Sequence, residues 1–435
     1  MLMKVYNEDP SVSDRECVDE IVVSKTELLL VDYYNNKLKS NTWYADFEGS
    51  FVPEEDREWD LSLIVHGTAK LFVNGELVVN NAENQVPGEA FFGMATEERK
   101  GRIQLKKGET YNIKVEFGSA ATSQLNDAGV VFGGGCLRVG GCEVIDPKEE
   151  IAKAAALAKD AEQVIVCAGL NADWETEGND REHMDLPGYL DEMIYAVAAA
   201  NPNTVVVMQS GTPVTMPWID SVPALVQAWY GGNETGNCIA DVVFGDANPS
   251  GKLSLSFPAQ LRDNPSYLNF RAEGGRTLYG EDVYVGYRYY EYLERPVLFP
   301  FGHGLSYTNF AFSGLSVEEK DGKVGVKLSV KNTGERKGAE VVQVYVSPKQ
   351  KAKINRPVKE MRGFDKVELE AGEERAVSVA METKYAVSYW DEGRGKWCAE
   401  KGDYEVIVSN SSAAEEGNTL RGSFSVAETF WWSGL

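Results

Sequence analysis

Histidine is scarce in this chain of 435 residues: His66, His183 and His303 are all it has. None accompanies a cysteine pair, so there is no Cys/His cluster of the zinc type. The six cysteines, at positions 17, 136, 142, 167, 238 and 398, include no C-x-x-C spacing. So few in so long a chain do not make a disulfide framework, and free, mostly buried thiols in a reducing compartment are expected. Positive charge is also short, with 43 Lys and Arg against 67 Asp and Glu, a net charge of −24. Such a surface repels phosphate backbones and anionic lipid, which argues against nucleic acid and membrane partners. No apolar run is long enough to cross a bilayer. The opening MLMKVYNEDPSVSDRE has no hydrophobic signal core, so a cytoplasmic location is expected. The Gly-Lys-Ser/Thr ending of a P-loop and the G-x-S-x-G elbow of serine hydrolases are missing. No cofactor and no metal are expected.

What is present suffices for packed cores: 43% of the residues are hydrophobic and 11% are aromatic. The length suggests two to four domains. Residues 1–20 are polar and read as an irregular linker. From 21 to 145 short apolar runs such as TELLLVDYY, WDLSLIVHG, KLFVNGELVV and YNIKVEFG alternate with turns. Asn74-Gly75 within them is a strong hairpin signal. This spacing indicates a β-sandwich or barrel. From 146 to 258 helical and buried-strand patterns alternate, which predicts a parallel sheet covered on both faces. Residues 259–312 are rich in Tyr, Gly and Pro and read as a segment wrapping over other domains. From 313 to 430 strands return at the spacing of an immunoglobulin-like or fibronectin-like sandwich.

The loop NADWETEGNDRE, 171–182, follows the strand pattern EQVIVCAG, where ligands of parallel sheets bind. Asp173, Glu175, Glu177, Asp180 and Glu182 crowd into it. Mutual repulsion disfavours full ionisation and can leave one carboxyl as a general acid near neutral pH. Asp180 and Arg181 are placed to form a charge pair, and Trp174 to wall a sugar-sized pocket. Composition alone favours an exposed acidic loop anchored by its tryptophan. A metal site is a third reading, though the spacing is not that of an EF-hand. SGTPVTMPW is as easily a tight structural turn as a ligand loop, WYGGNETG precedes a helix but is no P-loop, and a structural role suits His303 better than catalysis.

GLNADWETEGNDREHMDLPG, NPNTVVVMQSGTPVTMPW, QAWYGGNETGNCIADVVFGDANPSGKLSLSFP and LFPFGHGLSYTNF resemble the C-terminal half of glycoside hydrolase family 3. The likeness is greatest to β-glucosidases that carry an inserted PA14 domain. INRPVKEMRGFDKVELEAGE resembles their closing fibronectin type III-like domain, and the stretch from YYNNKLKS to GELVV resembles the PA14 insertion. The likeness covers nearly the whole chain in the family's order. It implies a multidomain α/β plus all-β fold: a PA14-like β domain, a partial α/β-sandwich domain and a fibronectin-like sandwich.

The resemblance also implies retaining hydrolysis of β-glucosides or oligosaccharides. An Asp on a preceding TIM barrel is the family's nucleophile, and a Glu of the sandwich domain is its acid/base. The family's S-G-E-G-Y-D-R aligns with E-T-E-G-N-D-R here, which places the acid/base on Glu177. Glu175 is the runner-up, with Trp174, Asp180 and Arg181 as substrate-binding residues. In an extended loop the two glutamates would point to opposite sides. A (β/α)8 barrel needs about 250 residues, and no stretch here supplies one. The opening strands of the sandwich domain are expected to be missing with it. The chain then carries the acid/base half of a two-part site, its partner being a barrel domain or chain, with negligible turnover alone. The alternative is a carbohydrate-binding or interaction protein without chemistry.

Overall fold

The computed structural model describes residues 1–125, 133–178, 180–413 and 418–434. Two compact units divide the chain: Met1–Leu157 with Asn171–Arg181, and Ala158–Leu170 with Glu182–Leu435.

The first unit is built on two antiparallel sheets. One has six strands in the order Cys17–Val22, Leu2–Tyr6, Tyr44–Phe51, Tyr111–Gly118, Thr68–Val73 and Glu76–Asn80. The other has four, in the order Glu27–Leu29, Cys136–Glu143, Arg57–His66 and Arg99–Leu105. Period-two patterning puts Met3, Val5, Phe47, Leu71, Val115 and Phe117 into one cluster with Leu63, Val65 and Leu137. The expected hairpin forms between Thr68–Val73 and Glu76–Asn80, with Asn74 at φ 49° and Gly75 at φ 86°. The irregular linker expected over 1–20 is corrected. Leu2–Tyr6 is an interior strand of the six-stranded sheet, with Met3 and Val5 buried. Five residues of alternation followed by the polar run NEDPSVSDRE carry too little signal to read as a strand. A buried charge cluster also fixes this sheet. Asp46 lies 2.7 Å from Arg15 and 3.2 Å from Lys114, and Arg15 sits 4.0 Å over the Tyr6 ring.

The helix Pro147–Lys159 starts where its sequence says it should. The Asp146 carboxylate accepts the Lys148 N–H, Pro147 opens the first turn, and Glu149 and Glu150 face the helix's positive end.

The second unit contains a parallel three-stranded sheet in the order Val164–Gly169, Thr204–Gln209, Ala224–Gln227. The central strand buries Val206, Val207 and Met208. Helix Leu190–Ala200 covers it through Ile194, Val197 and Ala198. Asn201 closes that helix, donating from Nδ2 to the carbonyls of Ala158 and Ala161 at 2.9 and 2.8 Å. Helix Thr235–Phe244 ends on Gly245 at φ 84°, the left-handed cap that glycine takes without strain.

The expectation of a sheet covered on both faces needs correction. Val166 and Ala168 of the first strand are buried, but Ile165 and Cys167, which alternate with them, are exposed. Leu157 and Phe244 are exposed on their helices, and Thr235–Phe244 buries none of its residues. The cysteine expectation also changes. All six thiols are free, but only Cys136 and Cys398 are buried, and Cys17, Cys142, Cys167 and Cys238 are exposed.

Residues 310–426 of this unit form a sandwich. Three strands, Phe310–Lys320, Lys323–Asn332 and Glu374–Glu382, face four, Glu360–Leu369, Gly338–Pro348, Gly402–Ser409 and Leu420–Val426. Lys323–Asn332 shows strict alternation, with Val324, Val326, Leu328 and Val330 inside. The Tyr-rich stretch before it packs on this sandwich through Tyr287. That ring stacks on Phe301 at 5.0 Å and meets Tyr345 edge-on at 5.9 Å, and its hydroxyl accepts the Met361 N–H.

Candidate active site

The acidic loop is a turn rather than an extended segment. Asn171 organises it: its side-chain oxygen accepts the Asp173 N–H at 2.9 Å, and its carbonyl accepts those of Trp174 and Glu175 at 3.0 Å. Asn and Asp favour this local closure. Gly178 follows Glu177 at φ 78°, a conformation that a side chain would strain.

Arg138, on the strand Cys136–Glu143, pins the start of the loop. Its Nη1 donates to Asp173 at 2.9 Å, while its Nε lies 3.0 Å from Glu27. The guanidinium also sits 5.6 Å over the Phe91 ring. Phe91 and Phe92 adopt φ 54° and 61°, a strained left-handed turn for bulky residues. Phe92 is exposed, and its ring comes within 3.9 Å of the Cβ that a side chain at 178 would add. Sequence reasoning missed Arg138, Phe91 and Phe92. All of these contacts cross more than thirty residues of chain, and an FFG triplet carries no motif.

The two glutamates are separated by burial. Glu175 lies 3.6 Å from Arg181, and their side chains are only 12% and 14% exposed. Sequence reasoning had put Asp180 beside that guanidinium, and the structure puts Glu175 there. Adjacent residues in a turn diverge, whereas Glu175 and Arg181 come together as it closes. Glu177, Asp180 and Trp174 are exposed to solvent. The arrangement therefore offers one carboxylate held in an ion pair, and a second, two residues on, available to a ligand. Among the described residues no group of three or more His, Cys, Asp or Glu side chains is placed to hold a metal ion.

The weaker candidates have structural occupations. In 210–218, Ser210 donates to the Thr212 carbonyl, Val214 and Met216 are buried, and the Trp218 indole donates to Asp191 at 2.8 Å. The His303 ring stacks on Phe299 at 5.3 Å.

Residues 78–307 match the Glycosyl hydrolase family 3 C-terminal domain. The chain belongs to glycoside hydrolase family 3. Residues 2–148 match the PA14 domain and 340–412 the Fibronectin type III-like domain, so the multidomain fold class inferred from the sequence stands. The PA14 match begins at residue 2, in keeping with the Leu2–Tyr6 strand. A probable beta-glucosidase I of Aspergillus oryzae is 52% identical over 442 residues, covering 99% of this chain and 52% of that protein. The crystal structure of a beta-glucosidase from Kluyveromyces marxianus in complex with glucose superposes with a TM-score of 0.93. It is 45% identical and covers 100% of this chain and 51% of its own. A beta-glucosidase from Streptomyces venezuelae in complex with D-glucose gives a TM-score of 0.63 at 30% identity, covering 87% of this chain and 46% of its own. This family 3 chain spans about half the length of the curated relatives it matches.

Proposed function

We propose that this chain is the acid/base half of a retaining β-glucosidase, with Glu177 as general acid and base. The observation that carries the reading is the division of labour in the loop: Glu175 is held by Arg181, and Glu177 is exposed on a turn pinned by Arg138. In the first step a carboxylate supplied by the half of the relatives that this chain does not match attacks the anomeric carbon. Glu177 gives its proton to the departing glycosidic oxygen as that bond breaks. In the second step the Glu177 carboxylate takes a proton from water, and the hydroxide oxygen displaces the glycosyl-enzyme ester. Such a mechanism sets the two carboxyl groups about 5–5.5 Å apart. Trp174 and Phe92 supply aromatic surface beside the loop on which the sugar or its leaving group can rest.

The exposed apolar residues of the parallel sheet and its helices support the same reading. Ile165 and Phe244 are surface that further strands and helices of a longer protein would cover. The test is reconstitution. The chain is mixed with a polypeptide carrying the half of the Aspergillus oryzae relative that it does not match, and hydrolysis of an aryl β-glucoside is followed. Turnover by the mixture and none by either part supports the reading. Robust turnover by this chain alone, abolished by Glu177→Gln, would place the nucleophile within it and overturn the division.

A further inference from the structure

The small sheet near the end of the chain is built largely from tryptophan. Its strands are Tyr389–Asp391, Lys396–Ala399 and Phe430–Trp432, with Lys396–Ala399 in the middle. The antiparallel register sets Trp390 opposite Trp397, and Trp397 opposite Trp432. Residues directly opposite share a face, so the three indoles form one row across the sheet. Their ring centroids are 5.5 Å apart for Trp390 and Trp397, and 5.9 Å for Trp397 and Trp432. Tyr385 extends the row, edge-on to Trp432 at 5.2 Å. Phe430, two residues before Trp432, lies on the same side.

These rings are not part of the core. Trp390 is 46% exposed, Tyr385 50% and Phe430 38%, while Trp397 and Trp432 are half-buried and Gly434 packs against Trp397; the row lies outside the cluster that fills the sandwich. Beside it opens a cleft of about 470 Å³ lined by Glu319, Glu382, Glu428, Thr383, Lys384 and Phe430. Lys384 joins the two features. Its ammonium is 4.7 Å from the Tyr385 centroid and 5.4 Å from that of Trp432, and it pairs with Glu382 at 3.1 Å.

Exposed aromatic surface next to carboxylates suits a ligand that is apolar on its ring faces and hydroxylated at its rim. A pyranose is such a ligand, its C–H face resting on an indole and its hydroxyls donating to carboxylates. Three glutamates against one lysine, in a chain of net charge −24, disfavour anionic glycans, nucleic acid and acidic lipid. A row rather than a cage suits a ligand that repeats along a line, with Trp390 edge-on to Trp397 at 73° and Trp397 stacked on Trp432 at 20°.

We propose that this face binds a neutral β-glucan chain along Trp390, Trp397 and Trp432, with one end at the Glu319–Glu382–Glu428 cleft. The choice of β-glucan among neutral glycans rests on the glucosidase reading above, whereas the site itself does not involve Glu177. Its use would be to hold polymeric carbohydrate on the enzyme.

Native gels cast with soluble mixed-linkage β-glucan, or with pullulan as an α-linked control, test this on the intact chain. Tryptophan emission is titrated in parallel with cello-oligosaccharides. The expected result is retardation by β-glucan, and an affinity about tenfold weaker in Trp390→Ala and in Tyr385→Ala, the scale of one lost aromatic contact. Glu177→Gln should be retarded like the unaltered chain, so a failure of the acid/base assignment leaves this result standing. Both aromatic side chains are exposed, and unfolding temperatures of the two variants check their integrity. If both variants prove misfolded, the emission titration of the unaltered chain decides. The proposal is overturned by absence of retardation and of any emission change, by equal retardation in pullulan, or by variants that bind as tightly as the parent. It is also overturned if light scattering shows that the Trp390 face instead pairs two copies of the chain.

Discussion

Arg181 stands 3.6 Å from Glu175, with both side chains largely buried in the turn that carries Glu177. An ion pair so placed is a structural brace, because removing one partner leaves the other charged and poorly solvated. Glu175→Gln is therefore expected to lower the stability of this unit by about 1–3 kcal/mol. In the reconstituted enzyme it should leave the leaving-group dependence of turnover unchanged. Denaturant unfolding and kinetics with two aryl glucosides check both outcomes.

Arg138 acts on the same loop from outside it. It links Asp173 and Glu27, two carboxylates far apart in sequence, across the Phe91 ring. Arg138→Met keeps most of the stem but removes the fork. Faster amide exchange over residues 171–178 is expected, with a shift in unfolding temperature of only a few degrees. Exchange protection equal to the parent's would show that Asn171 alone holds the turn.

Asp46 is a buried carboxylate served by two cations, Arg15 at 2.7 Å and Lys114 at 3.2 Å. Asp46→Ala leaves Arg15 without its carboxylate inside the six-stranded sheet and Lys114 with Glu116 alone. A loss of about 3–5 kcal/mol is expected, the usual cost of breaking a buried pair from one side. Asp46→Asn, which keeps the acceptor oxygen, should lose less. Urea midpoints of the two variants order the effects.

Stability should depend on pH with opposite signs at different sites. Burial lowers the His66 pKa below its ordinary 6.5, so the native state prefers the neutral ring. As pH falls through 6.5 towards the folded value, the unfolded chain binds the extra proton, and the stability of the first unit declines. His66→Leu should flatten that slope in calorimetric scans between pH 7.5 and pH 5. In the second unit burial raises Glu291 above its ordinary 4.5, although Lys359 beside it pulls the other way. Burial likewise raises Asp191 above 3.8, against the Trp218 hydrogen bond. Their ionised forms are disfavoured in the fold. The stability they contribute is complete below those ordinary values and is lost as pH rises through the folded ones.

Much of this architecture can be read from the chain, and the particular elements show why. Asn74-Gly75 announces its hairpin because few other residue pairs take positive φ twice. VKLSV and VVVM announce a half-buried and a buried strand by period and by length. Leu2–Tyr6 escapes notice because its partners, Tyr44–Phe51 and Cys17–Val22, lie outside any local window. The exposed Ile165 face follows from the missing opening strands that the family resemblance implies and not from the strand itself, since an apolar strand reads the same whether or not something covers it. In the loop, the crowding of carboxylates is plain in the sequence. The sorting of Glu175 into an ion pair is not, because it depends on how the turn closes.

The assignment of Glu177 is tested most directly by the leaving group. In the reconstituted enzyme, Glu177→Gln is compared with the parent on aryl β-glucosides whose phenols differ widely in acidity. A phenol that needs no proton to depart leaves at a rate that does not require the acid. The account predicts that glucosides of weakly acidic phenols lose about a hundredfold to ten-thousandfold in rate, the usual contribution of a general acid. Glycosylation by strongly acidic leaving groups should be nearly spared, and added azide should trap a glucosyl azide of retained configuration. An equal loss across all leaving groups, or no loss at all, would contradict the role given to Glu177.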